Sequence, residues 1–216
     1  MKTYTPMEVM PGTVSDAVSG TDWWFVLGGQ AVRCLCPYRP SRDVDFGVGE
    51  ARDMQKLLDL LSDKGKVELL ESSGDTVHLL FNGTKISVFF LAEFLPFVEE
   101  QRLSVKGLLA TKLHAILGRG TRRDFFDLYV LLQKHRLGIG ECLSAIREVF
   151  RQPVSDALLL RAMTYFDDAQ REAPLPGEGK RDWETVKNFF QTRAGSLLIP
   201  PGPELEIMKN TVDLKK

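Results

Sequence analysis

The chain has 216 residues, 44% of them apolar and 26% charged, and a net charge of −1, so it can bury a sizeable core as one large domain or two small ones. That balance excludes a protein held to nucleic acid by its overall field and leaves only a local basic patch at Arg119, Arg122 and Arg123. No apolar run approaches the ~20 residues that span a bilayer, and the first residues lack the segments of a signal peptide, which predicts a cytoplasmic protein with no membrane partner.

Residues 1–20 carry Pro, Gly, Ser and Thr with little periodicity and predict a loose arm with a short helix. Trp23 to Leu27 reads as a buried strand, with the tryptophan pair at core and rim. Gly29 to Cys36 reads as a short helix stopped by Pro37 and Pro40. Cys34, Cys36 and Cys142 are an odd set without zinc-ligand spacing, which fits small apolar side chains in a reducing compartment. Asp43 to Val48 is the second strand. Glu50 to Lys64 is a helix, because Met54, Leu57, Leu58 and Leu61 recur at helical spacing and Gly65 supplies the stop. Val67 to Leu70 and Thr76 to Phe81 are strands, and Asn82-Gly83 is a type I′ hairpin signal leading into Lys85 to Phe90.

Strand signals vanish from Ala92 onward. Val105 to Leu117, Asp124 to His135, Gly140 to Phe150 and Ser155 to Gln170 read as helices, the first two separated by Gly118-Arg119-Gly120. Residues 173–179 are a linker by composition. Arg181 to Arg193 is a last helix with Trp183, Val186, Phe189 and Phe190 on one side, and Ala194 to Lys216 shows no pattern. The predicted class is α/β (α+β): a small mixed sheet flanked by helices over 1–100, a helical lobe over 101–195, a tail over 196–216, and a site between the lobes.

Chemistry concentrates in a few places. Side chains alternate along a strand, so Asp43 and Asp45 share one face while Val44 and Phe46 take the other. Two adjacent carboxylates repel unless a cation lies between them, and their oxygens suit Mg²⁺ that also carries substrate phosphates. Gly28-Gly29 at a strand-to-helix turn lets a phosphate approach free backbone N–H groups, or simply makes the turn. Arg42 is either a phosphate clamp or a neutralising partner of the acids. Lys112 falls within the apolar stripe of Leu108, Leu109, Leu113 and Ile116. It either snorkels outward or points its ammonium into the interlobe cleft. Asp124 and Asp127 lie in a first helical turn, where acids cap N–H groups and offset the dipole. His78, His114 and His135 have no mutual ligand spacing and read as core or surface residues.

Gly28-Gly29, Asp43-x-Asp45, Lys112-Leu113-His114-Ala115 with Arg119, and Arg123-Asp124-Phe125-Phe126-Asp127-Leu128-Tyr129 occur in that order. In this the chain resembles the DNA polymerase β-like nucleotidyltransferase superfamily, and within it the AbiEii/AbiGii-type nucleotidyltransferase toxin family, over about residues 20–190. The resemblance implies a nucleotidyltransferase lobe that moves an NMP from an NTP to an RNA hydroxyl (a tRNA 3′ end included) or a protein hydroxyl. It also implies a prokaryotic toxin–antitoxin system with a cognate antitoxin. By the same resemblance Asp43 and Asp45 hold Mg²⁺, and Gly28, Gly29 and Arg42 meet the nucleotide. Lys112 binds the triphosphate, and Asp124 supports it or takes a proton. Asp127 is expected to order its helix or to pair with Arg122 or Arg123.

One block departs from the superfamily. Where a third carboxylate is expected, in a run like Lys-Ile-Asp-Val, this chain has Lys85-Ile86-Ser87-Val88. Either two carboxylates with Asp124 suffice, or turnover is slower, or nucleotide is bound without transfer; the AbiEii-type set implies that activity is retained. A catalytically degenerate nucleotide-binding or interaction protein and an aminoglycoside-type nucleotidyltransferase are the alternative readings.

Overall fold

The structure is a computed structural model that describes residues 2–198. Two short helices, α1 (Pro6–Val9) and α2 (Gly12–Val18), precede β1 (Trp24–Leu27), α3 (Gly28–Leu35), β2 (Val44–Val48) and α4 (Ala51–Lys64). Strands β3 (Val67–Ser73), β4 (Thr76–Phe81) and β5 (Thr84–Phe90) follow as a meander, then a 3₁₀ turn (Ala92–Phe97), β6 (Val98–Glu99) and β7 (Arg102–Leu103). Among the described residues seven strands form one mixed sheet in the order β3-β4-β5-β2-β1-β7-β6. β2 runs parallel to β5 and β1 parallel to β7; the other neighbours are antiparallel.

Alternation decides what each face of this sheet carries. Val44, Phe46 and Val48 of β2, Ile86 and Val88 of β5, and Val77, Leu79 and Phe81 of β4 are buried on one face. There α4 adds Met54, Leu57 and Leu61. The intervening residues, Asp45, Ser87 and His78, are forced to the other face. The turn between β4 and β5 has Asn82 at φ 47° and Gly83 at φ 82°, the left-handed pair that a type I′ hairpin demands.

From Val105 to Leu198 the described chain is helical: α5 (Val105–Gly118), α6 (Arg122–His135), α7 (Ile139–Phe150), α8 (Asp156–Met163), α9 (Asp167–Arg171) and α10 (Asp182–Leu198). Ser104 and Thr121 cap α5 and α6 by accepting from Gly107 N–H and Asp124 N–H. An aromatic cluster joins α6 to α10: Phe125 meets Phe166 at 5.0 Å, Phe190 at 5.6 Å and Trp183 at 6.0 Å.

Three expectations are corrected. Strand structure does not end before Ala92. β6 and β7 extend the sheet, but two-residue strands show no alternation, and their turn uses Glu100 and Gln101 at φ 50° and 57°, residue types that do not announce it. The helix expected from Ser155 to Gln170 breaks into α8 and α9. The Thr164 hydroxyl bonds back to the Leu160 and Arg161 carbonyls, and the break turns Phe166 into the aromatic cluster. The patternless stretch expected from Ala194 begins inside α10, which runs to Leu198; the rest of the expected tail, 199–216, lies outside the described residues. No helix of the described residues is long and apolar enough to cross a membrane.

Candidate functional site

The site begins where β1 ends. Leu27 pairs with Asp45 across β1 and β2, and the chain then turns at Gly28 (φ +59°) into α3. A Cβ on Gly28 would lie 2.2 Å from Asp45 Oδ2, and one on Gly29 would lie 2.6 Å from Ser41 Oγ. Both glycines are therefore positions where a neighbouring side chain presses directly on backbone. The lead-in to β2 is held by buried Gln30, whose Nε2 donates to the Ser41 carbonyl at 3.0 Å and the Asp43 carbonyl at 3.1 Å. Asp43 sits just before β2 and is exposed, while Asp45 is partly buried within it.

Across the sheet, Asp45 pairs with Ser87 on β5 and Ser87 with His78 on β4, so three side chains stand in one row on one face. His78 Nδ1 lies 3.0 Å from Ser87 Oγ, and the His78 ring meets Phe89 edge-on at 6.1 Å. The row forms one wall of a cavity of about 250 Å³ whose lining also includes Gly28, Gly29, Asp43, Lys85 and Arg39. The helices supply the opposite wall with Lys112 and Arg119 of α5 and Arg123 and Asp124 of α6. A larger hollow of about 590 Å³ between α5 and α7 lies apart from these groups. Convergent polar side chains, not size, mark the functional candidate.

A buried ion network backs the helical wall. Lys112 Nζ is 3.2 Å from Asp124 Oδ1 and 2.7 Å from Asp127 Oδ2, with 6% of the lysine exposed. Arg119 grips Asp124 through Nε at 2.9 Å and its terminal nitrogen at 3.2 Å, and the Thr121 hydroxyl donates to Asp124 at 2.6 Å. Asp127 also accepts from Arg39 at 2.8 and 3.0 Å and from the Tyr38 hydroxyl at 2.5 Å. Burial pushes the Asp124 carboxyl up, but Lys112, Arg119 and Thr121 outweigh it and bring it down to about 2. Burial likewise works against the charge of Lys112, yet Asp127 and Asp124 hold its ammonium above its ordinary range. Asp45 moves the other way: burial raises its carboxyl and Asp43 adds to the rise, against Lys112, the Ser87 hydroxyl donor and Arg119. A carboxylate this reluctant to ionise gains most from an added cation.

The sequence-predicted residues are not all brought together. Gly28, Gly29, Asp43, Asp45, Lys112 and Asp124 line the cavity. Arg42 does not; it is exposed on an adjoining hollow with Arg33 and Lys85. Arg39 lines the cavity where an arginine was expected from position 42. Lys112 does not snorkel, because its ammonium is bonded from two sides. Asp127 pairs with neither Arg122 nor Arg123, because one helical turn puts it on the side of Asp124; Arg122 instead binds Glu178 at 2.5 and 3.0 Å and lies 4.5 Å over Trp183. Arg39 and Lys85 were given no site role in the sequence reading, and His78 was read there as a core or surface residue. Counting back from the Asn82-Gly83 turn sets His78 opposite Ser87, and alternation sets Lys85 beside Ser87, so two of the three had a signal.

Asp43 and Asp45 are the carboxylate pair able to hold a divalent cation. Among the described residues no group of three or more His, Cys, Asp or Glu side chains is arranged to do so. Hard oxygens in so small a set suit an ion that takes its remaining ligands from phosphate and water, not a closed protein cage.

One family emerges from comparison with family models. The family model described as nucleotidyl transferase AbiEii toxin, type IV toxin–antitoxin system, matches residues 72–194, a span that holds His78, Lys112 and Asp124 and begins after Asp45. The chain is similar to aq_aa25, an uncharacterized protein of Aquifex aeolicus (strain VF5). They are 27% identical over 187 residues, covering 81% of this chain and 88% of that one. It is also similar in fold to a crystal structure of a candidate nucleotidyltransferase from H. pylori, with a TM-score of 0.55 and 15% identity over 89% of this chain and 93% of that one.

Proposed function

This chain belongs to the AbiEii nucleotidyltransferase toxin family, and from that membership we propose that it transfers the NMP of an NTP to an RNA or protein hydroxyl, with Mg²⁺ at Asp43 and Asp45. The observation that carries the reading is the acid pair, with Asp45 pressed against the Gly28 turn, facing a cationic helical wall across one cavity. When bound, the ion supplies charge neutralisation at the phosphates and polarises the phosphoryl oxygen. The N–H groups at the start of α3 donate to phosphate oxygens at the Gly28-Gly29 turn. Lys85 and Arg123 line the cavity and have no ion-pair partner among the described residues, so they are available to the triphosphate. Lys112 adds positive charge from behind, held in place by Asp124 and Asp127. With Asp124 committed to four donor contacts, its part is to orient Lys112 and Arg119. The acceptor oxygen attacks the α-phosphorus in line and pyrophosphate leaves, so positioning and charge supply most of the rate. The protein would act in the cytoplasm, where NTP is found, and be restrained by a cognate antitoxin.

The test is incubation of the purified chain with Mg²⁺, each labelled NTP and total RNA. Label is expected in RNA and is expected to fall by at least 100-fold in Asp45→Asn. Nucleotide binding with no transfer to RNA, protein or an added aminoglycoside, unchanged in Asp43→Ala, sinks this reading and favours the degenerate site that Ser87 first suggests. Label confined to the aminoglycoside identifies a small-molecule modifier instead.

A further inference from the structure

Nucleotidyl transfer must remove a proton from the acceptor hydroxyl, and the carboxylates of this cavity are poorly placed to take it. Both Asp124 oxygens are filled by Lys112, Arg119 and Thr121, and its carboxyl sits at about 2. Asp127 lies behind the cavity lining, bonded to Lys112, Arg39 and Tyr38. Asp43 and Asp45 are reserved for the cation by the proposed function, on which this inference rests. The position facing Asp45 on β5 carries a neutral hydroxyl, Ser87.

The next residue in the row changes that picture. A hydroxyl has one proton, and Ser87 stands in the row between Asp45, whose carboxylate can only accept, and His78, whose ring can donate or accept. With that proton turned to the carboxylate, Ser87 Oγ accepts from His78, whose Nδ1 lies 3.0 Å away. A neutral imidazole that carries its proton on Nδ1 leaves a lone pair on Nε2. Among the described residues Nε2 has no protein partner, and it is not buried. The Phe89 edge fixes the ring, Glu71 stands opposite on β3, and Lys85 lies two positions before Ser87 on the same face of β5.

We propose that His78 is the proton acceptor of the transfer and does the work that a third carboxylate would do. As the acceptor oxygen bonds to the α-phosphorus, its proton passes to His78 Nε2. The bond from that phosphorus to the bridging oxygen breaks, and the electron pair leaves with pyrophosphate. The Ser87 hydroxyl is the positioning group that sets the tautomer.

His78→Asn separates this role from a structural one, because its side-chain amide still offers Ser87 a donor near the Nδ1 position but has no basic lone pair. With Mg²⁺, labelled NTP and total RNA, kcat is expected to fall by about 100-fold or more, the scale of acid–base catalysis. KM for the NTP is expected to stay within about twofold, since binding is left intact. A kcat within about threefold of the parent overturns the assignment. Independently of activity and of variant folding, ¹⁵N–¹H correlation spectra of the parent are expected to show the Nδ1-protonated tautomer of His78; an Nε2-protonated ring overturns it. A parent that transfers no label to any acceptor overturns the nucleotidyltransferase reading and His78 with it, whereas an active parent matched by His78→Asn overturns His78 alone.

Discussion

At Gly28 two demands fall on one residue. Its φ of +59° is a backbone state that costs an L side chain roughly 1–2 kcal/mol, and a Cβ there would meet Asp45 Oδ2 at 2.2 Å. Gly28→Ala should therefore lower stability by about 1–2 kcal/mol in urea unfolding. The added methyl should also displace the Asp45 carboxylate and reduce NMP transfer by more than tenfold. A variant that is destabilised yet transfers at the parental rate shows that Asp45 does not need its observed place. Gly28 was legible in the sequence as a turn glycine. Its contact with Asp45 was not, because the two meet only when β1 and β2 pair antiparallel.

The elements that matter most are α5 and α6, whose facing turns hold the Lys112, Arg119, Asp124 and Asp127 network. Asp124 titrates at about 2 in the fold and near 3.9 when unfolded, so its carboxylate adds stability above about pH 4. That contribution declines as pH falls and is gone once the folded carboxyl is protonated below about 2. It is on the order of 2 kcal/mol for a side chain this well buried. Thermal melts from pH 6 to pH 2 should show the parent losing melting temperature more steeply than Asp124→Asn; parallel acid limbs would mean that Asp124 is not held as described. The sequence placed these acids in a first helical turn and read them, on their own chemistry, as caps. Periodicity put Lys112 in a buried stripe but could not say what met it there, because its partners come from the following helix.

For the whole molecule, one link between the sheet and the helices runs through the Asp127 carboxylate. Tyr38 and Arg39, on the segment between α3 and β2, both reach Asp127 on α6, so the loop beside the acid pair is tied to the helical wall. Arg39→Ala should loosen that tie, raising amide exchange about tenfold over residues 38–41 while the β4–β5 hairpin keeps its protection. Equal change in both segments would show that the tie is not local.

By itself the sequence determined the strand pair around Gly28-Gly29, the shared face of Asp43 and Asp45, the β4–β5 hairpin and the helical character after Val105, because these follow from local alternation, turn chemistry and helical spacing. Only the tertiary structure decided that Arg39 and not Arg42 lines the cavity, that Asp127 meets Lys112 and that β7 lies beside β1. Those contacts join residues far apart in the chain, and a local pattern holds no record of which distant partner a side chain meets once the layers pack.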